Sequence, residues 1–179
     1  MLEYKKMKEI TIIKKSIFQG NISNLHLIQT IKSFIEDNKE KFTERSWDCN
    51  IHTSRNKYVN ILYDVDEFKY IKDEIERKIK EIISKPFMIT SSWINILGQN
   101  GYQEFHKHDD IKSEFNQGSG CFYITEKNSS LEFAHFSENI RSKLNPNQGD
   151  VIIFDSDLYH RVIDSKEERI SLAFNFRYL

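Results

Sequence analysis

The spacing of apolar residues changes near Pro86. Before it, Leu25, Ile28, Ile31, Phe34 and Ile35 recur at three- and four-residue steps. Phe68, Ile71, Ile75, Ile79 and Ile82 do the same, with Lys and Glu filling the other faces. This period predicts two amphipathic helices. Ser23 or Asn24 is placed to cap the first, and Asp66 the second. A short strand is expected over 9–18. Beyond Pro86 the period falls to two, and β-branched and aromatic residues predict strands over 89–97, 103–108, 120–125, 131–136, 150–154, 159–163 and 169–176. Short strands at this density imply a sandwich or barrel. In the last one, Arg169, Ser171, Ala173 and Asn175 share one face, while Ile170, Leu172, Phe174 and Phe176 share the other. The apolar face needs a cover, which the two helices provide. The polar face then lines the barrel interior, a common ligand site. The expectation is an α+β, mainly β chain of one domain over 1–179, with a helical part over 1–86 supporting a barrel over 87–179.

Composition narrows the chemistry. Hydrophobic residues make up 39%, with only 2 Pro and 6 Gly, which fits a globular chain. Lys plus Arg number 26 against 27 Asp plus Glu, a formal charge of -1 with no basic stripe, so DNA binding by charge is disfavoured. Apolar runs such as Val151-Ile152-Ile153-Phe154 are too short to span a bilayer, and the N-terminal residues lack a signal-peptide core. A cytoplasmic protein, without membrane attachment and monomeric or weakly homodimeric, is expected. Cys49 and Cys121 are the only cysteines and form no CxxC, which excludes a disulfide framework and a thiolate zinc knot. A metal would be held by His and carboxylate. No G-x-S-x-G elbow and no phosphate-binding glycine loop occurs.

Of 6 histidines, His106 and His108 lie two apart in Gln103-Glu104-Phe105-His106-Lys107-His108-Asp109-Asp110. On a strand they share a face and can meet one metal ion, and Asp110 continues that face. His160, in a later strand, is the candidate third ligand. Taken alone, two histidines at a polar strand end are more often solvated surface residues. Arg169 changes the balance, because it follows His160 by nine residues on the polar face of the last strand. An inward guanidinium beside a metal needs an anion, and Ser171 adds a donor on the same face. The pocket suits a dicarboxylate whose other end chelates the metal. The competing reading pairs Arg169 with Glu167, Glu168 or a barrel carboxylate.

The residues Trp93-Ile94-Asn95, Gly101, His106-Lys107-His108, Ser119-Gly120-Cys121-Phe122-Tyr123, Gly149-Asp150, His160 and Arg169-Ile170-Ser171 resemble, in this order, a known family. They are similar to the Fe(II)- and 2-oxoglutarate-dependent dioxygenases of the double-stranded β-helix fold. The resemblance is closest to small oxygenases, many bacterial or phage-borne, with the pattern W-x-N, H-x-H, S-G-x-Y-Y, distal His and R-x-S. It covers residues 88–179 well and the first 85 only in helix layout. It implies a jelly-roll, cupin-like barrel that uses Fe(II), 2-oxoglutarate and O2 to hydroxylate an unidentified substrate, releasing succinate and CO2. It implies metal binding by His106, His108 and His160, and a grip on the distal carboxylate of 2-oxoglutarate by Arg169 and Tyr123. Asn95 and Ser171 are further cosubstrate candidates.

Most of that superfamily uses H-x-D, so His108 with Asp110 stands as the alternative to His106 with His108. Tyr102 and Tyr159 neighbour the motifs and are candidate substrate contacts. The polar loops 109–118 and 137–148 are candidate lids, and Trp47, Asn50, His52, Ser54 and Arg55 form a polar-aromatic stretch within reach of the mouth. Two other readings remain: a cupin-like three-histidine metalloenzyme that does not use 2-oxoglutarate, and a non-catalytic barrel that binds a ligand or partner.

Overall fold

The computed structural model describes residues 7–12, 15–42, 44–45, 51–55, 57–108, 117–125, 129–135, 140–163 and 165–179. Strand β12 (Arg169–Tyr178) is the spine of the larger sheet, pairing antiparallel with β5 (Phe87–Leu97) on one side and β7 (Gly118–Tyr123) on the other. Outward from β7 run β10 (Asp150–Asp155), β2 (Lys15–Asn21) and β1 (Lys8–Ile12). Outward from β5 run β4 (Ile51–Thr53) and β3 (Glu44–Arg45). The smaller sheet has the order β6 (Gln103–His106), β11 (Tyr159–Ile163), β8 (Ser130–His135) and β9 (Ile140–Leu144).

Two apolar clusters hold these layers together. One joins α1 (Leu25–Asp37), α2 (Ile61–Asp64) and α3 (Lys69–Ile82) to the outer face of the large sheet. Its fully buried members include Ile31, Ile35, Ile71, Ile75 and Ile79 from the helices, and Leu172 and Phe174 from β12. Burying each such side chain contributes about 1.5–3 kcal/mol. The second cluster lies between the sheets, with Leu97, Tyr123, Ile152 and Phe154 from one and Leu131, Phe133 and Val162 from the other. The alternation in β12 therefore does what its sequence predicts. Ile170, Leu172, Phe174 and Phe176 meet the helices, while Arg169 and Ser171 line a cleft on the inner face.

The first helix begins as expected, with the Asn24 side-chain oxygen accepting from Leu27 N at 3.1 Å. The second does not. Asp66 opens a 3-10 turn, Asp66–Phe68, and α3 follows with no side-chain cap. The turn itself occupies the first amides, since Phe68 N donates to Val65 O at 3.1 Å. The strand expected over 9–18 is a hairpin of two, β1 and β2, in register from Ile12↔Lys15. β2 also pairs with β10, so the N-terminal part adds strands to the large sheet as well as helices above it. The proposed lid 137–148 contains strand β9, paired along β8. Its alternation, Ile140-Arg141-Ser142-Lys143-Leu144, is a period-two pattern of a polar edge strand. The other candidate lid lies mostly outside the described residues, as do Trp47, Asn50 and Asp110.

One glycine is required by geometry. Gly149 has φ +83°, and a Cβ there would stand 2.9 Å from Ile22 O. Its amide donates to Tyr123 O at 2.8 Å and its carbonyl accepts from Ile22 N at 2.8 Å, which ties β2 and β10 to the end of β7.

Candidate metal and anion site

His106 ends β6 and His160 lies directly across from it on β11. His108 follows the strand, with its backbone N held by Ser156 O at 2.8 Å. A strand face shared by residues two apart is therefore only half of the reason these rings meet. The chain leaves the strand after His106, and Asp110 lies outside the described residues. The ligand atoms of His106, His108 and His160 all lie within 4.8 Å of one another, a spacing that one ion can close with modest side-chain rotation.

The hydrogen bonds of two rings select the nitrogen they present. His106 Nδ1 lies 2.8 Å from Glu104 O and His160 Nδ1 lies 2.9 Å from Leu158 O. A carbonyl only accepts, so each Nδ1 carries the proton and each Nε2 keeps its lone pair for a metal. Burial holds the His160 ring well below its ordinary pKa, with His106 and His108 adding repulsion. Burial also lowers His106, opposed by the Glu104 carbonyl and reinforced by Arg55. The two rings are thus disposed to be neutral, as ligation requires. Phe154 and Phe133 pack against His160, with ring centroids 4.7 Å and 6.1 Å away.

The anion end of the cleft is built on β12 and its neighbours. Ser171 pairs with Asn95 on β5 and with Tyr123 on β7, which sets these residues in one row across the sheet. Arg169 lies two residues earlier, opposite Leu97, where the β11–β12 connection is fastened down. Asn100 N donates to Ser165 O at 2.7 Å and Ser165 N donates to Gly101 O at 2.9 Å. Arg169 is 3% exposed, and its guanidinium carbon stands 4.7 Å from the centre of the Tyr123 ring. Its Nε and Nη1 have no hydrogen-bond partner, and neither does Tyr123 Oη. The pairing with Glu167 or Glu168 is not found, and Glu168 instead pairs with Lys39 at 2.9 Å. Burial pushes the Tyr123 phenol well above its usual pKa, so it is a proton donor at neutral pH.

The three histidines and Arg169 share one narrow cleft, with a cavity volume of about 40 Å³. His106, His108 and His160 line it together with Arg169, Ser171, Asn95 and Trp93. Buried donors without partners beside clustered imidazoles can accept an anion that also reaches a metal, so the donor set fits both groups. Tyr102 is exposed and Tyr159 stacks under Lys107 Nζ at 5.4 Å; neither lines the cleft. Cys121, Gln103 and Phe154 line it without having been singled out as site residues. The signal for Cys121 was present, since it precedes Tyr123 by two on the same strand. Burial raises its thiol pKa, opposed by Arg169. Arg55 is exposed, with its guanidinium carbon 4.8 Å from the centre of the Trp93 ring.

No family model matches the sequence, and no curated protein matches it. Solved structures do. A Pseudomonas putida prolyl-4-hydroxylase superposes with a TM-score of 0.73 at 12% identity, over 93% of this chain and 94% of that one. The fold is a double-stranded β-helix. A Trichoplax adhaerens prolyl hydroxylase, solved with a hypoxia-inducible-factor peptide fragment, gives a TM-score of 0.72 at 10% identity, covering 90% and 84%. HygX from Streptomyces hygroscopicus, solved with nickel, 2-oxoglutarate and hygromycin B, gives 0.68 at 11% identity, covering 90% and 82%. The three neighbours act in different settings on the same double-stranded β-helix, so the likeness identifies the fold and leaves the chemistry to the side chains.

Proposed function

We propose that the protein is a non-haem Fe(II)- and 2-oxoglutarate-dependent oxygenase that hydroxylates a substrate C–H bond. One observation carries the reading. A buried guanidinium whose Nε and Nη1 make no hydrogen bond lines the cleft that holds three clustered histidines, and the buried Tyr123 ring lies beside it. Buried N–H donors left without hydrogen bonds are costly, and a carboxylate from outside the chain removes that cost.

In this reading His106, His108 and His160 hold the iron, with the two Nδ1–H groups fixed on backbone carbonyls so that Nε2 faces the ion. Arg169 and Tyr123 hold the distal carboxylate of 2-oxoglutarate, and Ser171 and Asn95 border it. When bound, Fe(II), 2-oxoglutarate and O2 supply the oxidising chemistry, releasing succinate and CO2. The chain fixes ligand geometry, and the apolar walls of Leu97, Leu131, Phe154 and Val162 keep water from the reacting centre. HygX, a structural neighbour solved with nickel and 2-oxoglutarate bound, supports the assignment.

The test is Fe(II)-dependent formation of succinate from 2-oxoglutarate in air by the purified protein. Succinate should form, and should be lost in both His160→Ala and Arg169→Ala. Absence of Fe(II)-dependent succinate, with iron bound, would move the protein to three-histidine chemistry without 2-oxoglutarate.

A further inference from the structure

The oxygenase reading gives the inner guanidinium a ligand and leaves the outer one without a role. Arg55 lies on a segment that is rigid for a connection between elements. Ser54 N donates to Ile94 O at 3.0 Å, and Ser54 Oγ accepts from Ile94 N at 2.9 Å. Arg55 N donates to Thr53 Oγ1 at 3.3 Å, and Ser54 O accepts from the amides of Lys57 and Tyr58. The turn is therefore clamped to β5 one residue from Trp93. That indole is 5% exposed, lines the cleft, and has its centroid 5.7 Å from the His108 ring. Arg55 itself is exposed, and no carboxylate pairs with it among the described residues. A guanidinium laid on an aromatic face keeps its N–H edge free in its own plane, the geometry that takes an oxyanion in two hydrogen bonds.

The cleft wall agrees with that charge. No Asp or Glu is among its described lining residues, while Arg169 is. The Arg169 guanidinium in the wall and the Arg55 guanidinium on Trp93 together favour anions entering. We propose that Arg55, stacked on Trp93, binds an anionic group of the primary substrate, which places that substrate among small carboxylates or phosphate monoesters. The proposal rests on the oxygenase reading for the occupant of the inner end. Arg55 is a binding residue, held against Trp93 of the cleft wall.

The test uses Trp47→Phe protein, in which Trp93 is the remaining indole of 2. With 2-oxoglutarate and Ni(II) saturating the inner site, indole fluorescence is titrated with benzoate and phenyl phosphate, and with benzamide and phenol as neutral counterparts. The anions should bind and the neutral compounds should bind far more weakly. Arg55→Ala should weaken anion binding about tenfold, and Arg55→Lys should restore part of it, since a lysine keeps the charge but loses the fork. Which anion binds more tightly separates a carboxylate substrate from a phosphate ester.

Equal binding of benzamide and benzoate overturns the proposal. So does unchanged affinity in Arg55→Ala, or no binding of either anion. If 2-oxoglutarate itself fails to bind, the oxygenase reading falls, and the same titration in Arg169→Met protein still reads Arg55 alone. Anion binding that disappears with Arg169→Met and survives Arg55→Ala contradicts the proposal.

Discussion

Two of the buried polar groups on the inner face of β12 differ in their surroundings. At one end Asn175, 3% exposed, is satisfied within the protein, accepting from Ser119 Oγ at 2.7 Å and donating to Ser91 Oγ at 3.2 Å. At the other end Arg169, equally buried at 3%, has Nε and Nη1 without partners beside an unpartnered Tyr123 Oη. The same strand, face and burial therefore hold a closed polar group and an open one. A closed group ties β12 to its neighbours. An open one costs the apoprotein stability and makes sense when a ligand completes it.

The largest effect that tests this contrast lies beside the open end. His160→Ala should lower affinity for Fe(II) or Co(II) at least about 100-fold, measured by anaerobic titration, because a ligand and its carbonyl-fixed geometry disappear together. Arg169→Met should leave metal affinity unchanged and lower 2-oxoglutarate affinity roughly 100-fold, while the metal-free protein melts no lower than the parent. That last result follows because the substitution removes buried N–H donors that make no hydrogen bond. Asn175→Ala should do the reverse, costing about 1–3 kcal/mol in chemical denaturation with 2-oxoglutarate affinity intact, since Ser119 and Ser91 lose their partner. The smallest change is Tyr123→Phe, which deletes one hydroxyl and should weaken 2-oxoglutarate about tenfold. If Arg169→Met and Asn175→Ala destabilise alike, the two ends of β12 do not differ as described.

Local patterns in the sequence were enough for much of this. The face alternation of β12, the stripes of α1 and α3, and the pairing of His160 with Arg169 across a short connection all follow from neighbours in the chain. What escaped depends on distant partners. Strand β4 exists because Ile51, His52 and Thr53 pair with β5, more than forty residues away, and that pairing is what carries Arg55 to Trp93. His108 joins the cluster through a backbone bond to Ser156 rather than through strand periodicity. Asp66 is a good cap by type, yet the 3-10 turn that α3 grows from leaves it no amide to cap. Whether Arg169 would find an internal acid or stay open also lay beyond local pattern, since Glu168 is next to it in sequence and turns to Lys39.

The central claim is that Arg169 anchors 2-oxoglutarate in the cleft where the histidines hold iron. It is tested most directly by adding 2-oxoglutarate to the Fe(II)-loaded protein without oxygen and recording the visible charge-transfer band of the chelate. The account predicts a saturable band in the parent protein and none at the same concentration in Arg169→Met, with iron still bound in both. A band of equal strength and midpoint in Arg169→Met would contradict it, as would iron binding in the parent with no band at all.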